Sequence, residues 1–440
     1  MRNKILIIAG TLLGGLAIVI GIQAVTKQPP RPEGINTQAI AAVSGRGTML
    51  SDRQVRAARD TIERAPANPV GYNLLCAAYL KQARETGDFG FNARAEAALN
   101  RSLELSPVED NYDALGLKAT LLLAYHRFDE ALTVARRAQA LRPQDPHNYG
   151  AITDALVELG DYRGAFAAAQ KMMDLRPGAL SYARVSYLRE LQGDMRGSIE
   201  AMRAAAEAAG DPETRAWCRV HLGDLLINTN DPAAAEREFE RALAELPDYH
   251  PAFAGLARAR LASGDTDNAV RLYERARQRV PSPDTAIALG DLHTKLGHFD
   301  EAKKLYDQVE LAERAGGSAG RSTYSRQLAL FYADHDMKLD DALEIMRRER
   351  AARSDIYTCD ALAWVLYKKG DLAAAKKAIA EASRLGTRDA RIAYHAGMIE
   401  HTLGQHREAA RHLQLALNIN PTFDVLQAEV ARQTLRTLSK

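Results

Sequence analysis

Four histidines near the carboxy terminus, His395, His401, His406 and His412, form the densest group of metal-binding side chains in the chain. Their separations of six, five and six residues do not stack them on one helical face, as an i, i+4 pair would be. His406 falls in a turn that His401 and His412, on opposite flanking segments, could approach; the chemistry on offer would be binding of Ni²⁺, Zn²⁺ or Cu²⁺. Surface histidines are the default reading, and no resident metal and no cofactor is expected. Cys76, Cys218 and Cys359 are odd in number, far apart and without a CxxC pair. They read as small buried apolar side chains, not as a disulfide framework or a zinc site. Asp110, Asp113, Asp334, Asp336, Asp340 and Asp341 read as turn and cap acids, because the 334–341 stretch lacks the Gly and terminal Glu of a calcium loop. GTLLGG at 10–15 lacks the Lys-Ser/Thr of a phosphate loop, and H-E-x-x-H does not occur. No catalytic residue is assigned, and the chain is read as not an enzyme.

The totals describe what must position such residues. The chain has 440 residues, more than one compact core accommodates, so several domains or a repeat array is expected. Apolar residues make up 46% and charged residues 26%, which suits a folded chain over a disordered one. The 58 basic and 56 acidic side chains leave a formal charge of +2. That balance gives no general pull toward nucleic acid, and no basic track with stacked aromatics suggests it either.

Residues 5–25, ILIIAGTLLGGLAIVIGIQAV, contain no charge. As a helix, a run of this length reaches roughly 31 Å, enough to cross a hydrocarbon core of ~30 Å. Residues 1–26 are therefore read as a signal-anchor or transmembrane helix. Arg2 and Lys4 before the run favour a cytoplasmic amino terminus, although Lys27, Arg31 and Arg46 follow it. The alternative is a signal peptide cleaved near Ile22-Gln23-Ala24, which would release a secreted product, but such segments are usually shorter. Residues 27–50, with three prolines, read as a linker. Ser51-Asp52 reads as the cap of a first helix reaching about Ala65.

From there the chain repeats itself. A small residue five positions after a Gly-Asp-like turn recurs at Ala131, Ala165, Ser198, Ala235, Ala269, Ala302, Ala342, Ala375 and Ala409. The spacing is 33 or 34 residues except before Ala235 and Ala342. Proline follows the marker by twelve at Pro143, Pro177, Pro247, Pro281 and Pro421, and an earlier copy pairs Ala95 with Pro107. Twelve residues before the marker stands another small residue, such as Thr153, Ser186, Gly223, Ala257, Gly290 or Gly397. Large apolar residues such as Phe239, Tyr273, Tyr306 and Leu413 lie four past it. The pattern predicts antiparallel helix pairs whose axes approach closely at the small residues. Glycine closes the first helix and proline turns the chain into the next pair. Two places depart from it: about three extra residues near 209–214, and six within a Gly/Ser-rich stretch at 312–323 that reads as a loop between helices.

These residues resemble the tetratricopeptide repeat (TPR), a 34-residue helix-turn-helix unit. The resemblance implies an all-α fold: a right-handed superhelical solenoid of about ten units over residues 51–421, with 422–440 as a capping helix. Residues 152–194, 360–375 and 394–404 also look like a group of bacterial TPR proteins with an amino-terminal hydrophobic segment, which implies no defined activity. In the family, the first helix of each pair lines the concave face. Carried onto this sequence, that face includes Asp154, Arg184, Tyr187, Trp217, Asp224, Arg258, Asp291, Tyr357, Asp360, Trp364, Arg391 and Tyr394. Unpaired buried carboxylates are costly, so the aspartates among them are expected to face solvent. Mixed charge with both tryptophans suits a protein or peptide partner, with no small-molecule substrate evident.

The resulting expectation is a membrane-anchored scaffold in the bacterial inner membrane, its solenoid on the periplasmic side and a polypeptide in its groove. The alternatives are a metal-handling protein using the carboxy-terminal histidines, and a cytoplasm-facing regulator of a membrane-associated assembly enzyme or protease.

Overall fold

The computed structural model describes residues 50–86, 88–107, 110–317 and 325–438. The apolar run at 5–25 and the linker after it lie outside the described residues. Among those described, no helix is long and apolar enough to cross a membrane.

The described chain is helical throughout and divides into two compact units, 50–121 and 122–438. The first unit holds α1 (Leu50–Arg64), α2 (Pro69–Thr86), α3 (Gly90–Leu105) and the start of α4 (Tyr112–Ala124). Ser51 and Asp52 sit inside α1 instead of capping it: Ser51 donates to Glu85, and Asp52 accepts from Gln82 Nε2 at 2.6 Å. A closed amide–hydroxyl network ties this unit together. Asn73 donates to Asn111 at 2.8 Å, and Ser102 to Asn73 at 2.7 Å.

The second unit continues α4 into α5 (Phe128–Leu141) and then repeats one hairpin plan. The pairs are α6 (Pro146–Glu158) with α7 (Tyr162–Leu175), and α8 (Ala179–Leu191) with α9 (Met195–Ala208). Next come α10 (Pro212–Asn228) with α11 (Pro232–Glu245), and α12 (His250–Ala262) with α13 (Thr266–Arg279). They are followed by α14 (Pro283–Lys295) with α15 (Phe299–Gly317), and α16 (Ser325–Asp334) with α17 (Leu339–Ala352). The last two are α18 (Ile356–Lys368) with α19 (Leu372–Ala382), and α20 (Ala390–Thr402) with α21 (His406–Ile419). Helix α22 (Gln427–Leu438) packs on α21 and buries Ala431 in the shared core.

Local chemistry sets the helix ends. Gly160, Gly193, Gly264, Gly297, Gly370 and Gly404 each take a left-handed conformation that closes a first helix. The aspartate that follows at 161, 194, 265 and 371 accepts a backbone N–H of the second helix, a cap that contributes about 1 kcal/mol. The small-against-large interlock is also present. A Cβ on Gly223 or Gly255 would meet the Phe239 ring at 2.5 or 2.3 Å, and one on Gly290 would meet Tyr306 at 2.4 Å. The departures from the period are absorbed by helices. Helix α10 has 17 residues where most first helices have 13, and α15 runs through Gly317, so half of the presumed 312–323 loop is helix.

Candidate functional site: the inner face of the repeat array

Within the second unit, several first helices touch the first helix of the next pair directly, which puts them on the inner layer. Their polar side chains mostly bond one another, from repeat to repeat. Asp154 takes two hydrogen bonds from Arg184, at 2.8 and 2.5 Å, and both side chains are buried. The expectation of a solvent-facing Asp154 is therefore corrected. Burial is costly only for an unpaired carboxylate, and a bidentate guanidinium one repeat away pairs this one. Burial still raises the Asp154 carboxyl, against the pull of Arg184. Asp224 pairs with Arg258 at 2.6 Å. Asp291 accepts from Tyr306 Oη at 2.7 Å and lies 3.0 Å from His335 Nε2. Arg391 reaches Asp424 at 3.4 Å.

Toward the carboxy terminus the rungs become aromatic. Trp364 is buried and donates Nε1–H to Asp334 at 2.7 Å, so Asp334 is more than a turn acid. Buried Asp360 holds His395 Nδ1 at 2.9 Å, and the His395 ring stacks on Trp364 with centroids 4.1 Å apart. Tyr394 is buried between Trp364 and Phe423. Tyr187 is buried as well. Asp154, Arg184, Tyr187, Asp360, Trp364 and Tyr394 are thus interior side chains that no partner touches without displacing them.

Six of the twelve keep access to solvent: Trp217, Asp224, Arg258, Asp291, Tyr357 and Arg391. Trp217 is half-buried, with His221 against its ring at 3.9 Å between centroids. Three inner-face acids escaped the sequence reading. The Glu190 carboxylate on α8 has no hydrogen bond or ion pair among the described residues, although its backbone carbonyl accepts from Gly193 N–H at 2.8 Å. Burial, then the charges of Asp389 and Asp224, push its carboxyl up to about 8. Asp284 on α14 is exposed and lies among the charges of Arg326, Arg391 and Arg258. Asp389 caps α20, accepting from the Arg391 and Ile392 backbone N–H groups. Burial, then the neighbouring Glu190, Tyr187 and Asp389, push the Tyr357 hydroxyl well above its ordinary range. Helices α8, α18 and α20 therefore converge on one inner space, though nearly 200 residues separate the first from the last.

That convergence follows from a seam. Turns of early pairs meet linkers of late pairs 194–196 residues further on. Arg353, buried after α17, bonds Glu158 at 3.3 Å and Glu349 at 2.6 Å, and lies 5.9 Å from the Phe128 ring centroid. Ser354 N–H donates to the Glu158 carbonyl at 2.8 Å, and Ile356 N–H to Tyr162 Oη at 2.9 Å. Arg384 stacks on Tyr162, and Thr387 Oγ1 donates to the Leu191 carbonyl. A Cβ on Gly160 would stand 2.8 Å from the Ser354 oxygen, and one on Gly193 2.7 Å from that of Gly386. Burial, reinforced by Asp355, pushes the Glu158 carboxyl up to about 8 despite Arg353. His126 is held down to about 3 by burial and the nearby Arg353 and Arg326. The array thus comes to lie against itself after between five and six repeats.

The carboxy-terminal histidines do not converge. His395 is committed to Asp360, His412 Nδ1 bonds Glu400 at 2.5 Å, and only His401 and His406 are neighbours, with ring centroids 5.9 Å apart. No cluster of three or more potential ligands stands ready for a metal among the described residues. The cysteines are free and buried, with burial pushing Cys76 and Cys218 up to about 12. One spelling missed on the sequence is G-x-S-x-G at residues 316–320. Its first two residues end helix α15 and the other three lie outside the described residues, whereas a nucleophile elbow needs a strand running into the turn.

Two family models, both of the tetratricopeptide repeat, match the chain: one over residues 80–146, 221–284 and 361–422, the other over 260–321. Together they reach over half of the chain, which belongs to the tetratricopeptide-repeat family. The yeast Tom70 crystal structure is similar over 88% of this chain and 93% of its own, with 14% identity and a TM-score of 0.39. PilW, described as a widely conserved type IV pilus biogenesis factor, is similar over 46% and 92%, with 19% identity and a TM-score of 0.39. A tetratricopeptide-repeat protein from Parabacteroides merdae is similar over 60% and 99%, with 16% identity and a TM-score of 0.35. No curated protein matches the chain.

Proposed function

We propose that this chain is a protein-interaction scaffold, tethered to a bacterial membrane by residues 5–25, that binds an extended polypeptide along the inner face of its repeats. The observation that carries this reading is the division of labour on that face. Buried pairs such as Asp154–Arg184 lock the layer, while Trp217, Asp224, Arg258, Asp291, Tyr357 and Arg391 keep solvent access on it. A surface fixed before binding loses little entropy when a partner docks, and half-buried aromatics beside charges supply anchors. The seam closes the side of the array between the joined repeats, so the partner lies along the superhelical axis. Catalysis has no part in this reading.

A photo-crosslinking residue at Trp217, with a control at exposed Glu240 on the outer helix α11, tests it in cells. A discrete polypeptide adduct from position 217 and none from 240 is the expected result; equal labelling from both, or none from 217, contradicts it. We place the repeats outside the cytoplasm. A reporter enzyme that folds only there, fused after Lys440, should be active, and an inactive fusion of normal abundance reverses the placement.

A further inference from the structure

The seam has one side made of hairpin turns and another made of linkers between pairs, and each side continues past the contact. On the turn side the covered positions are Phe128 and Tyr162, exposed at 2% and 7%. Each is the first residue of a second helix. Phe299 holds that same place in α15 and is exposed at 68%, with exposed Leu296 beside it and Leu403 at the equivalent of Leu296 three pairs later. The turn glycines tell the same story. Gly160 and Gly193 have no room for a Cβ because a linker backbone faces them, while Gly264, Gly297, Gly370 and Gly404 face open space.

The linker side also continues beyond the seam. Arg353 is the residue that ends α17, and its guanidinium fills the seam. Arg142 and Arg176 end α5 and α7 in the same way, and Asp145 caps α6 as Asp355 caps α18. Leu141 beside them is 52% exposed. The early linkers thus carry the residue types that late linkers use at the seam, and the late turns carry an uncovered aromatic where early turns carry covered ones.

We propose that a second copy of this chain docks head to tail beyond the seam, the early linkers around Leu141 and Arg176 of one copy covering the late turns around Phe299 of the other. The contact repeats the internal seam between molecules. Because it joins two different surfaces it does not pair off as a two-fold dimer does, and further copies add to form a ring or an open chain.

Analytical ultracentrifugation of the full chain in detergent micelles tests this. The proposal predicts a mass that rises with protein concentration, and a return to the monomer for Phe299→Asp and for Leu141→Asp, each with unchanged helical circular dichroism. Mixing a Phe299→Cys chain with a Leu141→Cys chain should give a disulfide-linked heterodimer, since the native cysteines are buried. A mass independent of concentration overturns the proposal. Association that survives both aspartate substitutions also overturns it, because contacts through residues 5–25 would then be responsible. Absence of the mixed disulfide removes the stated register.

Discussion

Arg184 and Arg258 look alike in the sequence, each one repeat away from an inner-face aspartate, yet their surroundings differ. Arg184 is fully buried and bidentate on Asp154, while Arg258 stands in solvent. Breaking a buried pair from one side strands a charge, so Arg184→Leu should cost about 3–5 kcal/mol in urea unfolding. Arg258→Ala should cost about 1 kcal/mol or less, the range of exposed ion pairs. Equal losses would refute the assignment of interior and groove. Glu190 makes a second test through pH. Burial, then the charges of Asp389 and Asp224, push its folded-state carboxyl up to about 8, above the ordinary glutamate value of about 4.3. The folded state then holds a proton that the unfolded state releases, so this contribution is present below pH ~4.3 and is lost as pH rises through 8. Glu190→Gln should flatten the decline in melting temperature between mildly acidic and mildly basic pH, leaving the part due to Glu158. An unchanged slope would show that Glu190 titrates normally. An acid at an inner-face position reads the same in sequence whether it faces water or the next repeat. The usable signal was an opposite charge about one repeat later, as in Asp154 with Arg184 and Asp224 with Arg258.

At the scale of elements most of the plan was legible, because hairpin geometry is local. Turn glycines, aspartate caps and the small residues opposite Phe239 and Tyr306 all have short-range causes. The extension of α15 through Gly317 was not legible, since glycines that read as a loop are held in helix there. Phe239 fills the gap between Gly223 and Gly255, and Phe239→Ala should cost about 3–5 kcal/mol, measured by thermal or urea unfolding. Gly160 and Gly297 make a controlled pair, because both sit at φ 79° and only Gly160 faces a linker. Gly297→Ala should lose the left-handed strain alone, about 1–2 kcal/mol. Gly160→Ala should lose visibly more, with increased amide exchange at 354–356. Equal effects would mean that nothing presses on Gly160.

At the scale of the molecule the sequence was silent. Whether an array meets itself depends on small rotations accumulated over five to six repeats, which no single motif encodes. Arg353, Glu158 and Tyr162 carry that contact, and none stands out by type or spacing. The seam is what converts a row of hairpins into an enclosed inner face, so the proposed partner surface and the proposed head-to-tail assembly both depend on it. A double-mutant cycle on Glu158→Gln and Arg353→Met, read by urea unfolding of the monomer, tests the seam directly, because 195 residues of chain separate the two. The account predicts a coupling of about 0.5–3 kcal/mol, as residues in contact show. Additive losses, agreeing within about 0.3–0.5 kcal/mol as distant sites do, would mean that the array does not close on itself.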